Sequence, residues 1–289
     1  MTKKNHSYYS YLWTLPALIL YFIFFIIPTI QGVFYSFTYW NIFDARFAGF
    51  ENYKNILTNP KINIAFKNTI YFTIVTTFFK MILGLFLAIV LNREIRTANI
   101  MRSIYFMPAI ISNVAIALIF SSILHPDGIL NSFLKAINMD FLVNNWLTDP
   151  NLVMFSVSSI EVWKWTGFTM VILLAGLQSI PTEYYEACKI DGATGFDKFR
   201  YITFPLLMPS FNNALIICLV GGLKVFDIVY ALTGGGPGNA SEVLNTYVFK
   251  AYGRGYYGEA CAASVIIGVL IATISLFTLK PLRSKEVEM

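Results

Sequence analysis

Apolar residues gather in six blocks, Leu12–Phe34, Thr69–Leu91, Ile104–Leu124, Val153–Leu177, Leu206–Val225 and Ala260–Leu279. Each is long enough to cross the roughly 30 Å hydrocarbon core of a bilayer as a helix of about 20 residues. The pattern predicts an all-α, polytopic membrane protein with six transmembrane helices and both termini on one side. The first block follows Lys3 and Lys4, as a secretory signal would, but it runs past Ile30 and no small-residue cleavage pattern closes it. It is read as a retained span.

The segments between the blocks differ in basic charge. One set of flanks holds Lys3, Lys4, Arg93, Arg96, Arg102, Lys189, Lys198, Arg200, Lys280, Arg283 and Lys285, and the alternate set holds Arg46, Lys54, Lys61, Lys67, Lys135, Lys250 and Arg254. The excess predicts cytoplasmic N and C termini. The same bias accounts for a formal net charge of +5 in a chain with 13% charged residues, so no nucleic-acid partner is implied.

The first outer loop, from Thr38 to Asn68, mixes aromatics with charge and is expected to fold as a short interfacial helix. Thr233–Glu242 is the strongest turn signal, and the helix before it is expected to stop near Ala231. Its glycines precede no Gly-Lys-Ser/Thr, so a phosphate cradle there lacks its lysine and its magnesium-binding hydroxyl. His6 and His125 are the only histidines, and Cys188, Cys218 and Cys261 are odd in number and widely spaced. The chain therefore offers no metal site, disulfide framework or catalytic constellation, which argues against an enzyme.

The loop at 181–209, between the fourth and fifth blocks, has chemistry that a mere connector would not need. Thr182 is positioned to cap a short helix with Glu183 in its first turn, and Gly192 to end it in a left-handed conformation. Thr194-x-x-Asp197 reads as a capping-box variant opening a second helix from Gly195 to about Ile202, before Pro205 and Pro209 disturb or redirect the chain. The product is a helix-turn-helix elbow that presents Tyr184, Tyr185, Ala187 and Cys188 beside Glu183, Glu186 and Asp191. An apolar knob with a charged rim suits a partner's cleft.

Glu186-Ala187-Cys188-x-x-x-Gly192, then nine intervening residues and Ile202-x-Phe204-Pro205, resembles the signature of the membrane subunits of binding-protein-dependent ABC importers. That signature reads Glu-Ala-Ala-x-x-x-Gly and Ile-x-Leu-Pro, so Cys188 and Phe204 are departures that keep small or apolar character. Phe47–Tyr53, Asn68-Thr69, Gly128–Asn131, Trp163-x-x-x-Gly167-Phe168 and Phe226–Pro237 resemble the carbohydrate-uptake branch, the last of them the first of its two permeases.

The resemblance implies half of a sugar pathway, completed by a second homologous permease, in a bacterial or archaeal cell membrane. A cytoplasmic ATPase dimer carrying ATP and magnesium and an extracytoplasmic solute-binding protein would complete the system, with no cofactor in this chain. On this resemblance residues 69–281 form a five-span permease domain, after an N-terminal segment, span and loop at 1–68 and before a tail at 282–289. The elbow becomes a coupling helix involving Glu183, Glu186, Ala187, Cys188, Asp191, Gly192 and Ala193. Glu186 would face a basic residue of the ATPase, Ala187 and Cys188 would pack in its groove, and Gly192 would permit the turn.

Lys80, Glu161, Lys164, Lys224 and Asp227 fall inside or at the ends of apolar blocks, where a charge must face protein or water. Glu161 with Lys164, and Lys224 with Asp227, have the helical spacing for mutual neutralisation. Asn113, Trp163, Asn212, Asn213, Lys224 and Asp227 are candidates for the substrate pathway, with Trp165 a further aromatic. An oligosaccharide, a monosaccharide derivative and glycerol phosphate all remain open as substrates. The rival class is an ion-coupled secondary transporter using Glu161 or Asp227.

Overall fold

The computed structural model describes residues 11–41, 43–93 and 96–283. Lys3, Lys4, His6, Lys285 and the end of the tail lie outside these residues. Contacts divide the chain into two units, Met1–Thr58 with Val248–Ile266, and Asn59–Tyr247 with Ile267–Met289.

In the first unit, Leu15–Tyr35 (α1) is an apolar span with no buried residues. The outer loop then folds as more than the expected helix. Thr38–Trp40 (β1) and Ala45–Phe47 (β2) pair antiparallel with Thr38 opposite Phe47, a small sheet that the all-α expectation lacked. The short helix follows as Glu51–Thr58 (α2). Buried Asn52 ties the two together, its Nδ2 donating to the carbonyls of Ser36 and Thr38 at 2.9 and 2.8 Å.

In the second unit, Pro60–Leu91 (α3) is 32 residues long and takes in the end of the expected outer loop. Asn59 caps it by accepting from the Lys61 N–H, and Pro60 occupies the first turn, where no intrahelical partner is lost. Val153–Gln178 (α7, after the shorter helices below) is the most enclosed span among the described residues. It packs on α3 where Gly84 lies against Thr169; a Cβ at Gly84 would come within 2.9 Å of the Thr169 methyl. Met81, Ala88, Met170, Leu173 and Leu177 form the apolar core of this crossing.

Two expected spans are not single helices. The third is a pair, Ala98–Ile110 (α4) and Asn113–Ile123 (α5), bent by 95°. Pro108 cannot donate to the preceding turn, and Ile111 and Ser112 are extended, with ψ of 138° and 140°. Ile129–Ala136 (α6) follows it, and Thr182–Ile190 (α8) lies beyond α7.

The fifth span begins earlier than expected, as Gly195–Leu223 (α9). Pro205 does not redirect it, because a wider π turn at Phe199–Thr203 carries the helix past the missing donor. The helix stops at Leu223 instead, and Asp227–Thr233 (α10) restarts after Phe226. This last helix runs two residues beyond the expected stop, to a left-handed Gly234 at φ 59°. Leu244–Gly253 (α11) and Tyr257–Arg283 (α12) complete the chain. The described residues thus contain five helices able to span a membrane, or six counting the bent pair once.

Candidate functional site

The breaks in the two interrupted spans meet. Asn113, first residue of α5, donates through Nδ2 to Asp227 Oδ2, first residue of α10, at 3.2 Å. Breaking a helix frees carbonyls that a membrane interior cannot hydrate. Lys164 of α7 answers this need, since its Nζ donates to the Ile111 carbonyl at 2.9 Å and also to Asn113 Oδ1. One asparagine thus accepts from a buried lysine and donates to an exposed aspartate.

These contacts overturn the expected local pairing of charges. Glu161 pairs with Lys80 of α3 at 3.7 Å, with both side chains at most 10% exposed, and not with Lys164. Packing of α3 on α7 places the distant lysine nearer than the neighbour three residues away. Lys224 and Asp227 lose their helical relationship because the helix ends between them. Lys80–Glu161 is thus a buried ion pair between two helices.

A cavity of about 220 Å³ opens beside this network, lined by Asn113, Glu161, Trp165, Phe168, Lys224 and Asp227 among others. Trp165 and Phe168 meet edge to face at 5.7 Å, and the Lys164 ammonium lies 5.3 Å from the Trp165 ring centre. The cavity therefore offers an aromatic wall beside donors and acceptors, the combination that holds a polyhydroxylated ring. It is smaller than the roughly 300–1,000 Å³ of a complete small-molecule pocket.

Three pathway candidates, Asn113, Lys224 and Asp227, come together here. The others do not. Trp163 points to a separate apolar pocket and packs on Phe120 at 5.2 Å, while Asn212 is buried in α9 and Asn213 is exposed on it. Lys80, Glu161 and Trp165, noted in the sequence only for charge or aromaticity, belong to the cavity lining.

At the far end of α7 lies the elbow. Pro181 holds the cap position of α8 and Thr182 is its first helical residue, so the threonine hydroxyl does not make the expected cap. Its end is as expected. Gly192 has φ 71°, its N–H donates to the Lys189 carbonyl, and the Ala193 N–H donates to the Cys188 carbonyl, which is a complete Schellman closure. The second helix opens with the reciprocal Thr194–Asp197 capping box.

The elbow's apolar face differs from the expected one. Tyr185 and Cys188 are half-buried, and the Tyr185 hydroxyl lies 3.2 Å from Thr203 Oγ1. Glu183, Glu186, Ala187, Asp191 and Gly192 are exposed, and Ala193 is half-buried. Exposed apolar surface comes instead from Tyr184, Ile190 (88% exposed) and Phe196 (69%), of which the last two were not picked out from sequence. The three-residue offset between Tyr185 and Cys188 is the signal that would have assigned them to the inner face.

Residues 80–279 match the family model described as "Binding-protein-dependent transport system inner membrane component". The chain belongs to this family. It is 32% identical over 288 residues to the multiple sugar-binding transport system permease protein MsmF of Streptococcus mutans, covering 99% of each chain. Its fold matches the crystal structure of a bacterial ABC transporter involved in the import of the acidic polysaccharide alginate, with a TM-score of 0.84 and 27% identity over 95% of this chain and 94% of that one. A second structure holds that transporter in complex with alginate pentasaccharide-bound periplasmic protein, with a TM-score of 0.82 and 26% identity over 93% and 91% of the two chains. The family is a multi-pass membrane component of transport systems.

Proposed function

We propose that the chain is one of two permease subunits of an ATP-driven sugar importer and forms half of its translocation pathway. The observation that carries this reading is the meeting of two broken spans at Asn113 and Asp227, which opens a cavity of polar groups and aromatics among apolar helices. Irregular backbone at membrane depth is tolerated where it lines such a cavity. The volume of about 220 Å³ suits half of a sugar site, with a second homologous permease supplying the rest. The sugar-binding system that contains MsmF supports the substrate class.

Both termini and the elbow face the cytoplasm of a bacterial or archaeal cell in this reading. The elbow seats in a groove of an ATPase dimer that carries ATP and magnesium, with Glu186 facing a basic residue. Tyr184, Ala187 and Ile190 supply its exposed apolar contact, Glu183 and Asp191 its acidic rim, and Gly192 with Ala193 its closing turn. Cys188 packs behind. An external binding protein delivers the sugar. ATP binding draws the elbows together and tilts α7 and α9, which continue from them, so that the cavity alternates between the two sides.

The test is to purify the tagged chain from its native membranes in mild detergent and identify its companions by mass spectrometry. Recovery of a second permease and a P-loop ATPase is the expected result. Recovery of this chain alone, under conditions that keep known membrane complexes intact, contradicts the proposal.

A further inference from the structure

The charges around the cavity do not cancel. Lys80 is neutralised by Glu161 at 3.7 Å. Lys164 is buried and bound to the Ile111 carbonyl and Asn113, which in turn holds Asp227, so this second pair of opposite charges is linked through one amide. Lys224 is left over. It lines the same cavity, is exposed, and has no carboxylate within ion-pairing distance among the described residues.

The position of Lys224 matters as much as its charge. It terminates α9 at the end of an apolar span, and a cation there is stable only when it faces water or a ligand. The helix ends at Leu223, and Lys224 takes its place in the cavity lining. Trp165 and Phe168 supply a ring-sized apolar wall, and Asp227 supplies an acceptor already oriented by Asn113.

We infer that Lys224 selects a sugar that bears one anionic group, a carboxylate or a phosphate, which completes the cavity's unbalanced charge. The inference rests on the importer reading and adds the substrate class to it. Sugar hydroxyls meet Asp227 and Asn113, the ring lies on the aromatic wall, and the anionic group receives a charge-assisted hydrogen bond from the Lys224 ammonium.

The complete transporter, purified with its partner subunits and binding protein, is reconstituted in proteoliposomes containing ATP and offered galacturonate, glucose 6-phosphate and maltose. One of the two anionic probes is expected to enter at least about tenfold faster than maltose, and which one does so separates carboxylate from phosphate. Lys224→Gln should remove about tenfold of that uptake and lower the maltose rate far less, and Lys224→Arg should keep the preference for the anion.

Preferred uptake of maltose, no uptake of any probe, or an equal loss for maltose and the anion in Lys224→Gln would each overturn the inference. The last result would assign Lys224 to a subunit contact. ATP hydrolysis stimulated by the binding protein is measured in the same vesicles. If it persists while the uptake pattern fails, the importer reading stands and only the substrate class falls; if it is absent, the importer reading falls as well.

Discussion

Within the second unit, α3 and α7 run unbroken and turn Lys80 and Glu161 toward one another, whereas α4–α5 and α9–α10 break and bring Asn113, Lys224 and Asp227 to a cavity. The Lys80–Glu161 pair is nearly buried at the first contact, at the margin of that cavity. At the second, Asn113, Asp227 and Lys224 stay accessible, and the freed Ile111 carbonyl is satisfied from behind by Lys164. A polar group inside a membrane protein can thus be compensated internally, which fixes helix packing, or externally, which leaves capacity for a ligand. The same helix, α7, serves both, and this ties the rigid part of the bundle to the open one.

The largest effect is expected at the Lys80–Glu161 pair. Glu161→Leu leaves Lys80 buried without its partner and should cost about 3–5 kcal/mol, whereas the double variant with Lys80→Met should recover most of that loss. Thermal unfolding of the detergent-solubilised complex measures both, and equal destabilisation by the single and double variants would contradict the pairing. Next in size is Gly167→Ala, where α7 crosses α4: the new Cβ would lie 1.9 Å from the Tyr105 carbonyl oxygen, which is backbone and cannot rotate away. About 1–3 kcal/mol is expected by the same measurement, against little change for Gly221→Ala, which has open space around it.

The elbow gives smaller, functional effects. Gly192→Val forces a β-branched residue into a left-handed conformation at a cost of about 1–2 kcal/mol, which should fall mainly on coupling. Uptake should drop while membrane insertion and yield persist, and a fully active variant would refute the turn's role. Thr194→Ala removes one half of the capping box and should cost about 1 kcal/mol, read as a slightly lower unfolding temperature.

Much of this architecture was legible because apolar blocks of membrane length leave few alternatives, and because Gly192 and Thr194–Asp197 carry local signals that tertiary contacts did not override. The breaks were not legible for a physical reason. The helical segments on both sides of Ile111–Ser112 are predominantly apolar, so mean hydropathy stays high across a 95° bend marked only by Pro108 and the polar Ser112-Asn113. Pro205 misled in the opposite direction, since a π turn absorbed it. The charge pairs failed because spacing along one helix ranks neighbours on that helix first, while the partner of Glu161 comes from α3 through packing. Trp163 and Trp165, two residues apart, could not be ranked from sequence; the face each occupies on α7 assigns only Trp165 to the cavity.

Asn113 joins both broken spans and touches the cavity, while Lys164 still satisfies the Ile111 carbonyl without it. In the reconstituted transporter, Asn113→Ala should cut uptake of the transported sugar by about tenfold or more, the worth of an oriented polar contact left unmade, while ATP hydrolysis stimulated by the binding protein persists. Uptake that matches the unmodified transporter would show that the sugar passes elsewhere and that the meeting of the two breaks is a packing feature only.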